Sequence, residues 1–159
     1  ALLKQKFDNA ALGMIWDPQA VNIAMKSQIG DQINLRVGGK ICPQSGTPID
    51  VSAEIIGFDW ADDPKQLVKD CKVGIRVNGI EIVLNSVREQ PITDQEFLAV
   101  NIQVRNKRLV VVKSTQHFYG FYSTIAKKII YCETLGVLST KFDMLDFKRL
   151  PRPIWPLDQ

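Results

Sequence analysis

The sequence predicts an α/β domain built on a mixed sheet, and three observations carry that expectation. Short apolar or alternating runs recur between helical signals, as they do in β-α-β units. Asn78-Gly79 splits one pair of such runs and calls for a tight antiparallel hairpin. The end of the chain, RLPRPIWPLDQ, carries Pro151, Pro153 and Pro156 and is expected to be an irregular tail.

Taken in order, ALLKQKF sets Leu2, Leu3 and Phe7 where an amphipathic helix would need them. It has neither an initiator Met nor a Ser, Thr, Asp or Asn to cap its start. The expectation here is a chain that begins inside an element, as a piece of a longer polypeptide. AALGMIW, residues 10–16, suits a buried strand. Asp17 then stands as helix cap and Pro18 at the favoured first position. Ala20, Val21, Ala24 and Met25 form the apolar face, and Gly30 closes the element. DQINLRV alternates Ile33, Leu35 and Val37 with polar neighbours and reads as a half-buried strand.

After GGK at 38–40 and the turn-rich CPQSGTP, IDVSAEIIGF is a further strand, and GIRVNGIEIVLNS is the hairpin. TDQE at 93–96 is a capping box, Thr93 with Glu96, opening a short helix through Phe97 and Leu98. RLVVVKS reads as a strand, TQHFYGFYSTIAKK as a helix and IIYCE as a strand, a second β-α-β run. No repeat appears and no linker divides the chain, so residues 1–159 are expected to form one domain.

Composition narrows the function. The 20 basic and 17 acidic residues leave a net charge of +3, without clustered Lys and Arg interleaved with aromatics, which disfavours a nucleic-acid partner. Cys42, Cys71 and Cys132 are far apart and suggest neither a disulfide framework nor a zinc cluster, so a cytoplasmic setting is expected. No apolar run has the length of a membrane span, so no membrane partner is expected. No H-E-x-x-H, G-x-S-x-G, P-loop or G-x-G-x-x-G motif occurs.

The stretch VVKSTQHFYG, residues 111–120, holds the single histidine, His117. A helix starting here would place His117 in its first turn, beside an apolar stripe of Phe118, Phe121, Tyr122, Ile125 and Ile129. Its start would offer free N–H groups next to Lys113, with Ser114 or Thr115 as cap, and would suit a carboxylate. Lys113, Ser114, Gln116 and His117 are therefore candidate substrate-binding residues, and His117 the candidate catalytic one. The plainer reading stands beside this: Ser114 or Thr115 only caps the helix, and His117 packs over the sheet edge. A catalytic zinc takes three protein ligands, and its commonest ligand occurs here once, so no complete metal site is expected. Trp16 reads as a packing residue, and Trp155 as an anchor of the tail in a groove. Gly38-Gly39 serve a bend or admit another backbone. Asp62-Asp63 reads as a solvated turn.

The motifs GMIWDPQAV, RVGGK, SGTPIDV, VVKSTQHF and RPIWPLD, in this order, resemble the C-terminal domain of the microcystinase C (MlrC) family over essentially the whole chain. Members of that family resemble zinc metallopeptidases, in the founding case acting on a linearised cyclic-peptide toxin. The resemblance implies that zinc and its histidine and acidic ligands belong to a preceding N-terminal metal-binding domain of the same polypeptide. This segment would then form one wall of a cleft in which peptide (amide) bonds are hydrolysed, inactive alone and prone to self-association. The rival expectation is a non-catalytic binding or structural module.

Overall fold

A computed structural model describes residues 1–41, 43, 46–60, 70–132, 147–155 and 157–158. The chain divides into two compact units, Ala1–Ile129 and Ile130–Gln159. Cys42, Asp62 and Asp63 lie outside the described residues.

The first unit is organised by one six-stranded sheet. Its strands are β1 (Ala10–Trp16), β2 (Gln32–Val37), β3 (Ile49–Trp60), β4 (Cys71–Val77), β5 (Ile80–Asn85) and β6 (Leu109–Val112). They lie in the order β2-β3-β4-β5-β1-β6. β2, β3, β4 and β5 pair antiparallel, whereas β1 runs parallel to both β5 and β6, so the sheet is mixed as expected. Asn78 and Gly79 both have positive φ, 48° and 80°, as the two central residues of a type I′ turn require, and Val77 pairs with Ile80 across it.

Helices cover both faces. On one face, α1 (Pro18–Ala24) buries Ala20, Val21 and Ala24 among Val73, Ile75, Ile82 and Leu84. The opening residues 1–7 form hydrogen-bonded turns rather than a helix, yet Leu2, Leu3 and Phe7 do pack against this cluster. On the other face lie α2 (Gln95–Leu98), a 3₁₀ turn (Val104–Asn106) and α3 (Tyr119–Tyr122). Phe97, Val100, Ile102, Phe118 and Tyr122 are buried there with Met14 and Val83. The backbone of Val100 sits so close to the sheet that a Cβ on Gly57 or Gly74 would lie 2.5 Å from its carbonyl oxygen. These register partners form a flat floor for α2.

Half of the predicted capping box is made: Thr93 N–H donates to Glu96 Oε2 at 3.2 Å, but Thr93 Oγ1 accepts the Gln95 N–H at 3.1 Å, and the cap position falls on Asp94, whose side chain makes no capping bond. The predicted helix over 115–128 shrinks to Tyr119–Tyr122 followed by turns. Gly120 in its middle is a poor helix former, and Thr124 Oγ1 bonds the Phe121 carbonyl at 2.8 Å, competing with the helical ladder. The predicted strand IIYCE is not one over residues 129–132: Ile130 and Tyr131 are exposed and outside the sheet. The second β-α-β unit is instead β5-α2-β6, which crosses over β1.

In the second unit, the Asp158 carboxylate pairs with Arg152 and accepts the Ile154 N–H at 2.7 Å, closing a turn in an irregular tail. Trp155 is 85% exposed.

Candidate functional site

Parallel pairing of β5, β1 and β6 delivers their carboxyl ends to one edge of the sheet, the place where α/β sheets offer side chains to ligands. Three groups of polar residues gather along that rim.

The first is built on Asp17, directly after β1 and only 2% exposed. Its Oδ1 accepts the Ala20 N–H at 3.0 Å, which caps α1, and its Oδ2 accepts the Gly38 N–H at 2.9 Å. Lys40 Nζ reaches both oxygens, at 2.9 and 2.8 Å, and also donates to the Arg36 carbonyl. The β2–β3 ladder makes this possible. It runs past the end of β4, and Leu35 and Val37 are buried beside α1, so the loop after β2 returns to Asp17. Gly39 has a φ of 60°, and a Cβ there would fall 2.5 Å from the Pro48 nitrogen, so the glycine pair does admit another backbone.

The second group surrounds Lys72, near the start of β4. Its ammonium lies 3.2 Å from Glu89, 3.5 Å from Asp70 and 3.7 Å from Asp59. Burial opposes the charge, but the three carboxylates outweigh it and raise the lysine pKa. Trp16 Nε1 donates to the Ser86 carbonyl at 3.1 Å nearby, which fits the packing role read from sequence.

The third contains the residues singled out in VVKSTQHFYG. Lys113 follows β6, its backbone N–H donating to the Gly13 carbonyl at 2.8 Å. Ser114 does not cap α3, whose cap position is Phe118 and which has no side-chain cap. Its hydroxyl donates instead to Gln90 Oε1 at 2.9 Å, tying the link after β6 to the loop after β5. Gln116 and His117 are exposed, in the turn that precedes α3. His117 thus lies before the helix rather than in its first turn, and outside the core. The apolar stripe beside it packs as expected, with Phe118 and Tyr122 buried and Phe121, Ile125 and Ile129 partly so. Crowding of the Lys113 ammonium and the like charge of Arg88 both lower its pKa.

Arg88, Gln90 and the Lys72 group carry no motif. Only the alternation in CKVGIRV, which sets Lys72, Gly74 and Arg76 on the face opposite Val73 and Ile75, hints at them. Among the described residues, no group of three or more His, Cys, Asp or Glu side chains is arranged to hold a metal ion. The acids around Lys72 hold its ammonium, and His117 lies in another group. No helix among the described residues is long and apolar enough to cross a membrane.

Fold and rim together define an α/β domain of mixed topology with a polar edge at its parallel strand ends. The chain belongs to the MlrC C-terminus family, whose model matches residues 1–149. It is 29% identical to microcystinase C of Sphingomonas sp., over 99% of this chain and 32% of that protein. In fold it is similar to the crystal structure of a "Putative metallopeptidase" from Mesorhizobium sp. BNC1, with a TM-score of 0.75 and 17% identity over 99% of this chain and 33% of that one. The chain thus spans about a third of the length of both relatives.

Proposed function

We propose that this chain is the C-terminal, cleft-forming part of an MlrC-like metallopeptidase that hydrolyses peptide (amide) bonds. The observation that carries the reading is coverage: 99% of this chain aligns with 32% of microcystinase C, which leaves most of such a protein to hold the metal and main catalytic groups. Zinc is assigned to that preceding N-terminal portion, because the described residues here offer no ligand set for it. The partner of the rim is then the N-terminal portion of the same polypeptide, with a peptide substrate between them. Ile92 and Tyr119, 48% and 52% exposed beside the rim, supply apolar surface for that meeting or for a second copy. Cys71 and Cys132, which form no disulfide among the described residues, fit a cytoplasmic setting.

Within this reading Lys113, Ser114, Gln116 and His117 orient the peptide. The exposed imidazole of His117 can donate to or accept from a substrate group. In the full-length polypeptide, His117→Ala lowers kcat/KM at least about tenfold, equivalent to roughly 1.4 kcal/mol of transition-state stabilisation. Its urea midpoint stays unchanged, since the side chain lies outside the core. Full activity in that variant, with the fold intact, removes His117 from the cleft and favours a non-catalytic module.

A further inference from the structure

We propose that Arg88 and Lys113 together form a receptor for a peptide carboxylate on the rim beyond β5 and β6. The inference rests on the reading of this rim as a peptide-binding wall. It adds a residue, Arg88, that neither motif nor family match assigns, and it moves the carboxylate from a helix start to a pair of side-chain cations.

The loop after β5 is tied down on both sides of Arg88. Ser86 N–H donates to the Cys71 carbonyl at 2.9 Å, Ser86 Oγ accepts the Cys71 N–H at 2.8 Å, and the Val87 carbonyl accepts from the Asn85 amide. Beyond Arg88, Glu89 is committed to Lys72 at 3.2 Å and Gln90 to Ser114 at 2.9 Å. Arg88 stands exposed between these anchors, with no ion pair or hydrogen bond of its side chain among the described residues. The Lys113 ammonium is likewise without one.

The Gln90–Ser114 bond joins the two links, setting the loop that carries Arg88 beside the one that carries Lys113; the like charge of Arg88 adds to desolvation in lowering the Lys113 pKa. The tied links thus bring two cations to one stretch of rim, and Glu89, next to Arg88 in the chain, is turned to Lys72. Elsewhere on the sheet Lys40, Lys72, Arg76 and Lys107 each meet a carboxylate. A pair of like charges that meets no carboxylate among the described residues is poised for an anion brought from outside. A planar guanidinium beside an ammonium suits a carboxylate, which the fork can take through two parallel N–H bonds.

The test titrates the chain, at low ionic strength, with three N-acetylated tetrapeptides. One has a free C-terminal carboxylate, one is its amide, and one is that amide with a single internal Glu. Binding is followed by calorimetry. At least one carboxylate-bearing peptide binds about tenfold or more tighter than the neutral amide, and the better of the two identifies the source of the carboxylate. Arg88→Gln and Lys113→Gln each weaken that binding at least about fivefold, while Lys113→Arg retains it. NMR titration of the Lys113 side chain in Arg88→Gln shows a higher pKa than in the parent. The proposal is overturned if no peptide binds, if all three bind alike, or if both Gln variants bind as the parent does. Loss of turnover in full-length His117→Ala without carboxylate binding keeps the cleft and removes the receptor. Carboxylate binding with full His117→Ala turnover does the reverse.

Discussion

Asp17 illustrates how far a single residue can be read from its neighbours. Followed by Pro18, it is marked as a helix cap, and it does accept the Ala20 N–H at 3.0 Å. Nothing local marks Lys40 as its ion-pair partner, because that contact depends on the β2–β3 ladder curling back over α1. GGK is legible as a bend, whereas the use made of its lysine is tertiary. The pair is nearly dry, with side chains 2% and 17% exposed, so removing one member strands the other. Asp17→Ala should cost about 3–5 kcal/mol in urea unfolding. Asp17→Asn, which keeps an oxygen for the cap, should cost less. A loss below about 1 kcal/mol for Asp17→Ala would show that Lys40 finds water without penalty.

At the scale of elements, local chemistry was a sound guide wherever it was decisive. The Asn78-Gly79 turn, the return of Glu96 to the Thr93 N–H and the alternation of β2 all reappear in the fold, although the cap of α2 falls on Asp94 rather than Thr93. Around α3 it misled, because the spacing of Phe118, Tyr122, Ile125 and Ile129 reports which residues are covered, not how long the helix is. Gly120 and the Thr124 back-bond hold the helix to Tyr119–Tyr122. What secures so short a helix is partly Tyr122, whose hydroxyl donates to the Thr93 carbonyl at 2.7 Å and locks α3 to the start of α2. Burial, then Glu96 and Asp94, raise the phenol pKa well above its ordinary value. A raised pKa means that the folded state favours the protonated phenol. Its stabilisation is therefore full below about pH 10 and is lost as pH rises from there towards the folded value. Tyr122→Phe should cost about 1 kcal/mol at pH 7. The difference from the parent should narrow between pH 9 and about pH 11. Comparing the two proteins cancels the other groups that titrate in this range, Lys72 among them. A gap that stays constant to pH 11 would remove the phenol from the account.

For the whole molecule, motifs spread along the chain identified the family, yet strand order was not legible in them. β1 comes first in sequence and lies between β5 and β6, a position set by parallel pairing across 69 or more residues rather than by any local pattern. The same pairing brings the link after β6 to the loop after β5, where Ser114 meets Gln90, and nothing within VVKSTQHFYG signals that loop. It also concentrates the burial. Among the described residues every member of both apolar clusters lies at or before Ile129, whereas Ile130 and Tyr131, just beyond, are 68% and 65% exposed. Burial of apolar surface is the main term that offsets the entropy of ordering the chain, and among the described residues the buried groups that supply it lie within 1–129. A chain ending at Ile129 should therefore unfold in one cooperative transition, with a midpoint within about 5 °C of the 159-residue chain. Calorimetry of the two proteins, with limited proteolysis of the longer one, measures this. If the shorter chain is unfolded or melts without cooperativity, Ile130–Gln159 supplies packing on which the sheet depends, and the two units fold as one.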